Sequence, residues 1–103
     1  MKVKEFIDTI SGTRFYSLHD VVKHFGDDLP FKVGQVENEE YLQYAVATDI
    51  YHLEDGFVGV NGLDFTKSAY LKAEECEYIC SAKEYIKVTR PVFLPATERS
   101  DYV

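Results

Sequence analysis

The hydrophobic period of this chain changes along its length, and that change decides which folds are open to it. Up to residue 26 the apolar side chains recur at helical spacing. Beyond Phe31 they fall into runs rich in Val, Tyr, Ile and Thr, broken by tight-turn residues. Helices first and strands afterwards predict an α+β fold: two short N-terminal helices packed on one face of an antiparallel β-meander of about four to five strands.

Val3, Phe6, Ile7 and Ile10 predict the first helix, ended near Ser11-Gly12. Ser17, answered by Asp20, is a capping pair for a second helix over Leu18–Phe25, and Gly26 supplies its left-handed stop. The spacing puts Leu18, Val21, Val22 and Phe25 inward and His19, Asp20 and Lys23 outward. Thr13 to Tyr16 reads as a turn or a short strand. Asp27-Asp28-Leu29-Pro30 reads as a loop, since the residue before a proline disfavours helix.

Phe31 to Val36 predicts a short strand weakened by Gly34, followed by a polar turn over Glu37-Asn38-Glu39-Glu40. Tyr41 to Leu53, apolar on both faces, predicts a long central strand covered on two sides. Glu54-Asp55-Gly56 is a hairpin turn, Phe57 to Val60 the returning strand, and Asn61-Gly62 a second turn signal. Residues 63–76 fit a helix capped by Asp64 or a further strand. Glu77 to Cys80 and Tyr85 to Val88 read as strands around Ser81-Ala82-Lys83. Val92-Phe93-Leu94, between Pro91 and Pro95, fits an edge strand, which leaves homodimerisation open. The 103 residues are expected to form a single domain, 1–103, with 98–103 as a frayed tail.

The net charge of −7 is concentrated in one segment. Residues 27–55 carry Lys32 alone against eight carboxylates. Such a surface repels phosphates, so direct nucleic-acid binding is not expected. Cys76 and Cys80 are the only cysteines, too far apart on a strand for a disulfide. Glu74, Glu75 and Glu77 around them oppose thiolate formation, so they read as reduced packing residues. With no apolar run behind Met1 to Glu5, and no stretch of about 18 apolar residues, the expectation is a cytoplasmic protein without signal peptide or membrane span.

No catalytic, metal-binding or cofactor-binding set emerges from the sequence. His19 and His24 are five residues apart, about 140° around a helix, and Asp20 with His24 is two ligands short of a zinc site. Glu37 and Glu39 make only a fragment of a calcium loop. Gly56, Gly59 and Gly62 fall at a hairpin rather than between a strand and a helix, so they do not form a dinucleotide fingerprint. The chain therefore reads as a non-enzymatic interaction or regulatory domain. Its acidic residues Glu37, Glu39, Glu40, Asp49, Glu54 and Asp55 would dock on a basic protein partner. The alternative is a small-molecule binding or catalytic domain, with a pocket between curved sheet and helices lined by Tyr44, Thr48, His52 and Asp49.

Overall fold

The computed structural model describes residues 1–40, 45–64, 78–89 and 92–96, apart from the side chains of 37–40 and 89. Two helices, α1 (Val3–Gly12) and α2 (Leu18–Phe25), precede five strands: β1 (Phe31–Glu40), β2 (Ala45–Leu53), β3 (Gly56–Asp64), β4 (Ser81–Thr89) and β5 (Val92–Pro95). The sheet order is β1-β2-β3-β4-β5, and every pairing is antiparallel. This is the expected α+β architecture, with the helices packed on one face of a meander.

Helix α1 lacks a side-chain cap of its own, since its N-cap is Lys2. The β2–β3 turn supplies one. Asp55 Oδ1 accepts the Val3 N–H at 2.8 Å, and the Glu54 carboxylate lies 3.0 Å from the Met1 ammonium. A carboxylate on an unpaired N–H at a helix N-terminus contributes about 1 kcal/mol. The acidic turn thus clasps the start of the chain onto the far end of the sheet's central hairpin. In α2, Ser17 Oγ accepts the Asp20 N–H at 3.2 Å. Asp20 reaches back to the Tyr16 N–H at 3.3 Å, one residue before the cap. Gly26 ends the helix at φ 55°, a left-handed conformation that suits glycine.

Val3, Phe6, Ile10, Phe15, Leu18 and Val21 bury against Ala47, Tyr51, Leu53, Val58, Val60 and Cys80. The two sets meet because alternate residues of β2 and β3 point to the helices. Val22 is an exception to the expected buried set. It is 41% exposed, and Phe25 is only half-buried. An eight-residue helix lying on a sheet buries a narrow stripe, here Leu18 and Val21, and Val22 is turned about 100° past it. His19 and Lys23 are exposed as expected, and Asp20 is half-buried by its capping bond.

On the opposite face Val46, Ile50 and Leu63 are also buried, so the described part of β2 is covered on both sides. Residues 41–44 of its expected span lie outside the described residues, as do 65–76 and the tail 98–103. Leu63 and Asp64 complete β3.

Three expected turns are strand. Residues 37–40 continue β1, paired with Ala45 to Ala47 across a bulge. A terminal strand has one open side and so tolerates a polar sequence. Asn61-Gly62 continues β3, because Asn61 Nδ2 donates to Thr48 Oγ1 on β2 at 3.1 Å, and Gly62 lies under Cys80 and Leu18. A methyl group on Gly62 would strike Cys80 Sγ and come within 3.1 Å of Leu18 Cδ2. Ser81-Ala82-Lys83 opens β4, laddered to Asn61, Val60 and Gly59, while 78–80 precede the strand. In each case backbone pairing overrides local turn propensity.

Candidate functional site

The six acidic residues singled out from the sequence do not form one face. Glu37, Glu39 and Glu40 lie on β1 beside the start of β2, whereas Glu54 and Asp55 follow its end. A nine-residue strand separates the two groups by about 30 Å. Asp55 is occupied with the α1 N-terminus, and Glu54 pairs with Met1 while staying 66% exposed. Asp49 is buried among the helix-side residues of the sheet, its carboxylate 3.1 Å from Lys32 Nζ and 2.7 Å from Gln35 Nε2.

The sheet face turned away from α1 and α2 buries Val46, Thr48, Ile50, Leu63 and Tyr85 but is exposed at its hairpin end, at Phe31 and His52. Register fixes its layout: Phe31, His52, Phe57, Tyr85 and Pro95 are successive cross-strand partners, one per strand across the whole sheet. The His52 and Phe57 rings stack at 4.8 Å with an interplanar angle of 16°, and Phe93 meets Phe57 edge-on at 5.1 Å. His52 is exposed, and Phe57 and Phe93 are half-buried. Tyr85 turns its ring over Gly59, where an added methyl would lie 2.6 Å from Tyr85 Cδ1 and 2.8 Å from Thr48 Cγ2. This is the close neighbour that a glycine inside a strand implies.

Next to this row is a cleft of about 360 Å³ lined by Thr48, Asn61, Ser81, Ala82, Lys83 and Tyr85. Asn61 donates to Thr48 and accepts from the Tyr78 hydroxyl, so its amide is used within the wall of the cleft. Of the lining expected for a pocket, Thr48 is here and His52 shares the face. Asp49 is on the other face, as strand alternation requires. Tyr44 lies outside the described residues. Between the helices and the sheet, the described core side chains pack against one another.

The remaining reactive side chains make contacts within the fold, His24 while staying exposed. His24 meets Phe15 and Phe25 edge-on at 5.1 and 5.2 Å. Cys80 is buried, and burial, with the nearby charges of Asp20 and Asp49, pushes its thiol from 9.0 up to about 12. Cys76 lies outside the described residues. Burial, followed by the Asp49 charge and hydrogen bond, also holds the Tyr51 hydroxyl well above its ordinary value. Among the described residues no group of three or more His, Cys, Asp or Glu side chains could hold a metal ion. No helix among them is long and apolar enough to cross a membrane.

Both shifted groups hold their protons more tightly in the fold than in the unfolded chain. Their stabilisation is therefore complete below the ordinary thiol value of 9.0 and is lost as pH rises towards the folded value of about 12. Thermal melts from about pH 8 to about pH 11 should show the midpoint falling throughout the upper half of that range. A flat profile would show that neither group is buried in solution.

Comparison with protein-family models, with curated proteins and with solved structures gives no significant match. The aromatic stack was nonetheless foreshadowed in the sequence. A two-residue turn at Glu54-Asp55 makes Leu53 and Gly56 partners, and the next pair out is His52 with Phe57.

Proposed function

We propose that this chain is a non-enzymatic interaction domain that docks on a basic protein surface through the hairpin end of the sheet face opposite α1 and α2. The observation that carries the reading is the His52–Phe57–Phe93 stack, with Glu54 two residues beyond His52 and still 66% exposed despite its ammonium contact. Aromatic faces take Arg and Lys side chains by cation–π contact. The net charge of −7 attracts a basic partner from a distance. Glu37, Glu39 and Glu40 add to that attraction from the far end of β1 without sharing the contact.

The test is titration with an arginine-rich peptide and with a glutamate-rich peptide of equal length, at low and moderate salt. His52→Ala combined with Glu54→Lys is expected to weaken arginine-peptide binding by about tenfold, because one stacking contact and one charge are lost. Equal affinity of wild type and variant, or equal binding of both peptides, would overturn the reading. The cleft beside Lys83 supports a second reading, the binding of a small hydroxylated acid. A thermal shift with such acids that disappears in Lys83→Ala would favour it.

A further inference from the structure

We propose that β1 is a dimerisation edge, pairing antiparallel with β1 of a second copy of the chain about a two-fold axis near Gly34. The strand has ten residues and, among the described residues, a single neighbour, β2. Its other side presents a row of backbone N–H and C=O groups with the geometry of a further ladder.

Three features of the strand select a second copy as its occupant. The bulge between Lys32 and Gly34 brings Phe31 and Val36 onto the same sheet face, the one away from α1 and α2, paired with His52 and Thr48 respectively. These two side chains are 76% and 38% exposed, Phe31 being the most exposed large apolar residue described. Antiparallel pairing centred near Gly34 sets Phe31 of one copy beside Val36 of the other, and symmetry makes the contact twice.

The charges follow the same symmetry. Lys32 stands in the first half of β1, and Glu37, Glu39 and Glu40 in the second. Antiparallel pairing in that register sets Lys32 beside Gln35 and keeps the glutamates of the two copies apart, whereas a parallel pairing would line the glutamates up against one another. The axis itself is open: a methyl group added at Gly34 meets nothing within 4 Å. The other sheet edge, β5, offers four residues ending in Pro95, a poorer template for a ladder. The pairing is independent of the His52–Phe57–Phe93 stack, so it stands or falls apart from the docking reading.

Sedimentation equilibrium from low to high micromolar concentration is expected to show a monomer–dimer equilibrium. Phe31→Glu combined with Val36→Glu should raise the dissociation constant by at least about tenfold, since each copy loses a buried apolar contact and gains repulsion. Both positions are exposed in the monomer, so its circular dichroism spectrum should be unchanged. In a Cys76→Ser background, Gly34→Cys should form an intermolecular disulfide under oxidised glutathione, and Gly12→Cys, on α1, should not. A wild-type chain that remains monomeric throughout overturns the proposal, as does a dimer indifferent to the double variant.

Discussion

Replacing Phe6 with Ala is expected to destabilise the fold by about 3–5 kcal/mol, the largest loss for a single helix residue. Phe6 is fully buried, and its ring lies 5.1 Å from Phe25 and 5.4 Å from Tyr51. It therefore stands where α1, α2 and β2 meet. Truncation loses the transfer energy of the ring, two tilted aromatic contacts and the dispersion contacts around the void. None of the three elements can close that void by moving alone, because Asp55 fixes α1 to the hairpin turn, and the Cys80 N–H, bonded to the Phe15 carbonyl at 2.9 Å, fixes the inter-helix segment to the start of β4. A domain of this size has about 5–15 kcal/mol in total, and each kilocalorie moves its melting midpoint by roughly 4–8 °C. Thermal denaturation should thus show a fall of more than about 12 °C, with Phe6→Leu falling much less. A change of only a few degrees would mean that the helices are not docked on the sheet as described.

The helices were legible because their signals are local. Ser17, Asp20 and Gly26 act on the backbone within a few residues, and the spacing of Val3, Phe6 and Ile10 is a property of one turn after another. Strand boundaries were less legible because a ladder is made with a distant partner. Asn61-Gly62 has turn chemistry, yet Val46 to Thr48 pair with Asn61 to Leu63 and keep the strand extended. Gly62 is there to admit Cys80 and Leu18, a requirement seen only once the helices have been placed on the sheet.

The acidic segment shows the same limit. Its composition said that carboxylates were abundant between residues 27 and 55, and this remains the reason to expect a basic partner. Composition does not say which of them the fold itself uses. Asp55 caps a helix more than fifty residues away in sequence, and Asp49 is buried beneath the sheet edge with Lys32, the single base of its segment. Such roles depend on register, and register between β1 and β2 turns on bulges that no local signal announces.

Asp49 offers the sharpest test of that distinction. Its side chain is 5% exposed and binds Lys32 at 3.1 Å and Gln35 at 2.7 Å, and it also hydrogen-bonds the buried Tyr51 hydroxyl. Asp49→Ala removes the shared acceptor and leaves the Tyr51 hydroxyl facing apolar neighbours, while half-exposed Lys32 turns to water. The expected cost is about 2–3 kcal/mol, dominated by the stranded hydroxyl rather than by the ion pair. Asp49→Asn keeps an acceptor oxygen of the same shape and should cost about 1 kcal/mol. A second readout is independent of stability. Of the eight tyrosines, Tyr51 should ionise late in an alkaline titration of native protein, and in Asp49→Ala its ionisation should move down, since both the charge and the hydrogen bond that raise it are gone. Binding of the arginine-rich peptide by Asp49→Asn should equal that of wild type, because a buried, paired carboxylate offers no surface to a partner. Loss of that binding with unchanged stability would return Asp49 to the contact surface and show that the Lys32 pair opens when the partner docks.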